Sequence, residues 1–322
     1  MGRRAASALV LLGLLQVVVL VTLALAGPDD VTHRAPVRVV APAVVAASLV
    51  DQANEMDGRP VVASGLSSAA DARASVRSGR SVAAVVVDLS REQDVLYVAS
   101  ANGDALNRAL VRQVQQVEAS FGRSSQVRDL VPARQGDSGH RLVYGLTGLA
   151  VAAGLMTAVV ITWLRGPRTA TLAGGVRRLG VIAGVAVVVG GVLGGLAAAV
   201  YDTGLGTWWL VVTLTILASS TTTFALEALF GVVGIGIATT LLVLAAAPLV
   251  TLTHPLLLPE PWVAITPWLP HGAALAAGTS QAYFGGDQVL RPVLVLVTWS
   301  AVSLLTTVDA RRQRRRDLLA TG

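Results

Sequence analysis

Between residues 142 and 308 only nine of 167 positions carry a charge, whereas the preceding stretch, 27–141, carries 26 in 115. A run that long and that apolar cannot close as a water-soluble globule, because an ordinary soluble domain has about 25% charged residues and the whole chain has 14%. The sequence therefore reads as a polar domain attached to a membrane domain.

The chemistry open to the chain is narrowed by two absences. Every one of its 25 basic residues is Arg, so a Walker A phosphate loop and lysine Schiff-base or general-base chemistry are excluded. It has no Cys, which excludes thiol nucleophiles, thiolate metal sites and disulfides. The net charge of +6 invites a nucleic-acid reading. Because the basic excess sits beside apolar spans, membrane orientation accounts for it better than DNA binding.

Residues 5–26 are uncharged and follow Arg3 and Arg4. Ala24-Leu25-Ala26 resembles a small-residue cleavage site, but the apolar run exceeds the roughly 7 to 15 residues of a signal peptide, so an uncleaved first helix over 1–28 is expected. Residues 142–164, between Arg141 and Arg165, and 179–201, between Arg178 and Asp202, are each 23 residues long, enough for the ~30 Å hydrocarbon core. Residues 203–259 hold one charge, Glu227, and as one helix would run roughly 85 Å. Two helices, 203–226 and 228–252, are expected there, with a turn near 227–231. A sixth covers 292–308, with Pro292 in its first turn, and a basic tail follows over 309–322.

Six crossings with the N-terminus inside place eleven Arg in the cytoplasm (Arg3, Arg4, Arg165, Arg168, Arg177, Arg178 and five from Arg311 to Arg316) and only Arg291 in the short outer segments. That asymmetry predicts a multi-pass plasma-membrane protein with both termini cytoplasmic. Trp163, Trp208, Trp209 and Trp262 fall near helix ends, as an aromatic belt requires. Gly180, Gly184, Gly191 and Gly195 recur along the third helix, with Gly190 and Gly194 on an adjacent line. Small residues at this spacing let backbones approach closely, which predicts a packing stripe and a central third helix.

The polar domain, 29–141, reads as a small α+β fold. Residues 37–40, 60–63, 82–87 and 93–99 read as strands. Ser68-Ala-Ala-Asp71 is a capping box opening a helix that Gly79 stops. A longer helix from Asp104 carries Leu106, Leu110, Val114, Val117 and Phe121 on one face and ends at Gly122. The expected architecture is thus a membrane all-α bundle of six transmembrane helices, with a small extracytoplasmic α+β domain inserted between the first and second. Asp51, Glu55 and Asp57 read as a solvated helix surface rather than paired acids. His33, His140, His254 and His271 lack metal-ligand spacing, and His254 and His271 read as isolated loop residues. No catalytic constellation, metal or cofactor site is expected, so an enzyme is not.

The stretch 71–102, DARASVRSGRSVAAVVVDLSREQDVLYVASAN, followed by Asp129-Leu-Val-Pro132 and Asp137, resembles the outer domain of type-2 ATP-binding-cassette exporter permeases, in the branch related to the phage-infection protein (Pip) family. The end of the chain is similar as well: Pro267-Trp-Leu-Pro270, Gly272-Ala-Ala, Ala282-Tyr-Phe-Gly285, then Leu294-Val-Leu to Trp299. Thr279 stands where such permeases often carry Arg, so a substrate role for that Arg does not transfer. The resemblance spans nearly the whole chain through the order of its parts. It implies a permease that exports an amphipathic or lipid-like substrate, works as a homodimer or heterodimer with a similar permease, and draws energy from a separate ATPase subunit. The alternative is a non-transporting envelope scaffold or receptor whose outer domain binds a partner.

In such permeases the loop between the second and third helices docks on the ATPase, here 165–178 with Arg165, Arg168, Arg177 and Arg178. The alternative is that those Arg merely fix the topology, which the positive-inside rule alone predicts. Ser220, Thr223 and Glu227 share a helical face and mark a possible polar path, although Glu227 is expected at a water-exposed turn. Residues 253–288 are too rich in Pro for a crossing and too apolar for a free loop. They predict a re-entrant outer hairpin contacting lipid, with Trp262, Trp268, Tyr283 and Phe284 at headgroup depth and a short helix beginning around Pro270 and Gly272.

Overall fold

The computed structural model describes residues 12–19, 21, 30–91, 93–120, 122–137, 140–165, 172–244 and 246–320. It is mostly helical, with one small sheet.

Five strands, β1 (Ala35–Val40), β2 (Val61–Gly65), β3 (Ala83–Val86), β4 (Gln93–Val98) and β5 (Ser124–Asp129), form a sheet in the order β2-β1-β3-β4-β5. Only the β3–β4 pair is antiparallel. Three helices serve as crossovers: α1 (Ala43–Glu55), α2 (Ala69–Arg77) and α3 (Asp104–Ser120). Alternation decides which side chains go inward, as in β1, where Ala35, Val37 and Val39 are buried and the residues between them are not. Ser68 caps α2 by accepting the Asp71 N–H at 3.1 Å, as the capping box predicts. Leu106 and Leu110 of α3 are buried, while Val117 is exposed and Phe121 lies outside the described residues. Asp51 and Glu55 sit exposed on α1, with Asp57 in the turn after it.

Among the described residues four helices are long and apolar enough to cross a membrane: Arg141–Leu164, Gly174–Tyr201, Leu205–Phe230 and Leu290–Val308. They belong to α4 (Arg141–Arg165), α5 (Leu172–Tyr201), α6 (Leu205–Phe230) and α9 (Leu290–Ala320). This makes the chain a multi-pass membrane protein. Residues 12–19 of the expected first helix are helical, and most of 1–28 lies outside the described residues.

The expected crossing over 228–252 is not one helix. After Gly231, at φ +66°, α7 (Val232–Thr239) runs into a π-helical stretch to Leu244, and a separate turn, Ala247–Thr251, follows. The first piece spans about 20 Å at 1.5 Å per residue. Pro248 supplies the physical reason, since its ring clashes with a carbonyl four residues earlier in a continuing helix. Two other boundaries move. Helix α5 begins seven residues before the expected 179, so Arg177 and Arg178 are helical rather than in a loop, and α9 continues through the basic tail to Ala320.

Helix α6 is the hub. About two thirds of its most apolar stretch is buried, against one third for α5, which corrects the expectation that the third helix is central. The glycine stripe is corrected with it: within this chain Gly180, Gly184 and Gly195 face open space, and Gly191 makes only an ordinary contact with Trp209. The close approach is on the adjacent line, where a Cβ at Gly190 would strike Thr213 and one at Gly194 would come within 2.9 Å of Trp209 backbone. From the other side Gly154 of α4 lies so near that its Cβ would be 2.6 Å from the Ile216 carbonyl oxygen. The glycines themselves make room, bringing their backbones against Thr213, Trp209 and Ser219 of α6.

The segment after α7 holds α8 (Pro270–Tyr283), which packs among α4, α6 and α9. Ten of its residues, from Pro270 to Gln281, are buried, so it is enclosed by protein rather than laid against lipid along one face. Gly272 is required at its start, because a Cβ there would overlap the Thr266 carbonyl. Trp163, Trp209 and Trp268 are exposed as a belt would have them, but Trp208 and Trp262 are buried in protein.

Candidate functional site

Two polar clusters lie at opposite ends of α6. The first joins the α/β domain to the bundle. Asp137 stands just before α4, and its Oδ2 accepts hydrogen bonds from the hydroxyls of Tyr201, the last residue of α5, and of Tyr283 at the end of α8, the latter at 2.7 Å. Its other oxygen accepts the Leu142 N–H at 3.4 Å, placing negative charge at the α4 N-terminus, where the helix dipole favours it. The rings stack around this carboxylate. His140 and Tyr283 have centroids 5.0 Å apart, Tyr201 meets Tyr283 edge-on at 5.5 Å, and Tyr201 stacks on Trp208 at 5.7 Å.

His140 is buried and takes a positive φ of 52° where the domain chain turns into α4. Burial pushes its imidazole below the usual range, against the opposing pull of Asp137. His254 is held at about 3 by burial, with His140 adding to the effect. Its geometry agrees, because Nδ1 accepts the Leu256 N–H at 3.2 Å and must be unprotonated to do so. His271 lies in α8, wholly buried, rather than in the expected loop.

The segment 253–288 is also stapled to both faces of the sheet. Leu257 is buried in the core formed by Val37, Leu96, Leu106 and their neighbours, beneath α3. Phe284 is buried in the core formed by Ala72, Val76 and Tyr97, beneath α2. The expectation that Tyr283 and Phe284 lie at headgroup depth is thereby corrected: Phe284 belongs to the domain core, and Tyr283 to the Asp137 cluster. Trp268 remains exposed, with the Arg291 guanidinium 5.0 Å from its ring and its carbonyl accepting Trp299 Nε1 at 2.7 Å. The Asp129-Leu-Val-Pro132 motif has a structural role. Asp129 accepts the Ser100 and Val131 N–H groups, each at 3.1 Å, and so fixes the strand leaving the sheet to the turn Ser100–Asn102.

The second cluster lies at the other end of α6. Glu227 is 2% exposed, so the expectation of a water-exposed turn residue is corrected. It sits within the last turn of α6, its carbonyl accepting the Gly231 N–H at 2.7 Å. The chain then folds over it so closely that a Cβ at Gly234 would be 2.6 Å from the Glu227 nitrogen. Glu227 Oε2 accepts from Thr162 of α4 at 2.6 Å, and the buried Arg178 of α5 is near enough to act on it electrostatically. Ser220 and Thr223 are buried on the same helix, as the shared polar face predicts. Ser220 Oγ donates across to the Gly154 carbonyl at 2.9 Å, whereas Thr223 donates back along its own helix to Ser219 at 2.8 Å. Thr222 meets Ser303 of α9 at 3.2 Å. Of the four Arg assigned to the elbow, Arg177 is exposed and Arg178 buried; Arg168 and residues 166–171 as a whole lie outside the described residues. Thr162 and Tyr201 carried no sequence signal, since each is one polar residue near the end of an apolar run.

The chain matches no family model, no curated protein and no solved structure.

Proposed function

We propose that this chain is the transmembrane permease subunit of an ATP-binding-cassette exporter, moving an amphipathic or lipid-like substrate with energy from a separate ATPase subunit. The observation that carries the reading is the buried Thr162–Glu227 hydrogen bond beside Arg178. It ties α4, which precedes residues 166–171, to the central helix, and Arg178 of α5, which follows them, acts on the same carboxylate electrostatically, giving a load on that loop a route to α6. An ionisable residue kept inside a membrane bundle is costly and marks function by default. In this reading the exposed Arg177, with Arg165 and Arg168, faces an acidic groove on the ATPase, while Arg178, expected there too, is buried and acts on Glu227 instead. The protein lies in the plasma membrane with six crossings and both termini cytoplasmic, the fifth crossing being the jointed 228–252 segment. Residues 253–288 cap the outer end of the bundle through the protein-enclosed α8, and two permease chains pair as a homodimer or heterodimer.

Affinity purification in mild detergent tests the reading. An ATPase should copurify, and its stimulation should fall several-fold with Glu227→Gln and with the four elbow Arg changed together to Gln, while both variants stay in the membrane. Absence of any ATPase, or stimulation indifferent to both variants, would sink it. Orientation is tested by single cysteines at Ser125 and Thr171: only the first should react with an impermeant maleimide in intact cells.

A second reading, the envelope scaffold or receptor, is favoured by α1. That helix, on the outer domain, has no fully buried residue, so its outer side is open to a partner. It requires no ATPase.

A further inference from the structure

We propose that the cleft between α2 and the turn after α8 binds the anionic headgroup of an amphiphile. The cleft has a volume of about 520 Å³ and is lined by Arg73, Arg77, Ser78, Arg80 and Asp287. Three Arg and one acidic residue thus line a single opening. Among the described residues none of the three is within salt-bridge distance of an acid. Arg80 donates from Nε to Ser78 Oγ at 2.9 Å, which orients its fork. Arg73 and Arg77 stand one helical turn apart, a like-charge spacing whose mild repulsion a bound anion would relieve. Guanidinium forks match the paired oxygens of phosphate, sulfate and carboxylate.

Position supplies the amphiphile. Asp287 lies three residues before α9, a helix apolar enough to cross a membrane. The first turns of α9 expose Leu290 at 72% and Leu294 at 55%. The two walls of the cleft are also held in register, since Phe284, three residues before Asp287, packs against Gly79, two residues after Arg77. A headgroup seated among the Arg would leave its tail at the rim of the bundle. The proposal is independent of transport and needs no ATPase.

Fluorescence anisotropy on the full chain in an uncharged detergent tests it, using a tail-labelled anionic phospholipid and the same lipid with a choline headgroup. Wild type should prefer the anionic lipid at least tenfold. Arg73→Gln, Arg77→Gln and Arg80→Gln together should abolish that preference, whereas the charge-matched set Arg91→Gln, Arg108→Gln and Arg128→Gln should keep it. Asp287→Asn should bind the anionic lipid several-fold more tightly, a gain that misfolding cannot mimic. Equal loss in the two triple variants, or no gain in Asp287→Asn, overturns the site. Competition with inorganic phosphate separates the sources: a lipid affinity no better than that of phosphate overturns the amphiphile.

Discussion

Gly79 and Phe284 meet across the seam between the α/β domain and the bundle, so closely that a Cβ at 79 would be 3.0 Å from the ring Cγ. Gly79 ends α2 at φ +69°, a conformation that glycine adopts without steric cost. One residue therefore satisfies two demands, stopping the helix and admitting the ring. Gly79→Ala should cost about 1–2 kcal/mol from backbone strain alone, and Phe284→Ala about 3–5 kcal/mol from the cavity it leaves. Thermal unfolding of the full chain in detergent should rank the two in that order.

Inside the domain, Asp94 is 2% exposed and Arg123 grips it with two bonds, Nε to Oδ2 at 2.8 Å and Nη2 to Oδ1 at 2.6 Å. The same guanidinium donates to the Asp88 and Arg91 carbonyls at 2.9 Å each, closing the β3–β4 hairpin. Arg123→Ala strands a buried carboxylate, and losses of about 3–5 kcal/mol are usual for that. Amide hydrogen exchange across β4 and β5 should accelerate accordingly. A variant in which Asp94→Asn accompanies Arg123→Ala should recover part of the loss, since the uncompensated charge is gone.

Glu118, near the end of α3, is buried, and burial raises its carboxyl above the usual carboxylate range, with Asp94 adding to the rise and Arg123 opposing it. The fold thus favours the protonated form. Its contribution is fully present below the unfolded pKa, near 4.5, and is lost as pH rises through the raised folded value. Glu118→Gln should flatten that dependence. Subtracting its melting curve from wild type at each pH isolates this group from His140 and His254, whose lowered values cost stability on acidification instead.

What the sequence made legible follows from the range of each signal. The Ser68 cap, the Gly79 stop and the strand over 37–40 are local signals, and they stand in the structure as read. β5 escaped because Ser-Ser-Gln-Val-Arg-Asp has no apolar alternation, and as an edge strand with only one residue partly shielded it needs none. The spans over α4, α5, α6 and α9 were legible as length and apolarity. Rotation was not, because an all-apolar helix carries no moment to show which line of glycines faces a neighbour. That is why the packing line is Gly190 and Gly194 rather than Gly191 and Gly195. Phe284 was read as a membrane-interface ring because its partner, Gly79, is some two hundred positions away and marked only as a helix stop. Glu227 was read as exposed because the hairpin that covers it depends on Gly234 fitting against the α6 backbone.

The Asp137 clamp yields the last prediction. Tyr201 and Tyr283 reach one carboxylate oxygen from two different helices, so that single atom joins α5, α8 and the base of the domain. A hydrogen bond to a charged group is worth about 1.5–3 kcal/mol, and Tyr283→Phe removes one while keeping the ring that contacts His140 and Tyr201. Tyr283→Phe should therefore lower stability by about that amount. In an Asp137→Ala background the same change should cost far less, because the hydroxyl has already lost its acceptor. The double-mutant cycle, measured by chemical unfolding in detergent, reads the coupling directly. Equal losses in both backgrounds would mean that the tyrosines act through ring packing alone, and that the carboxylate only caps α4.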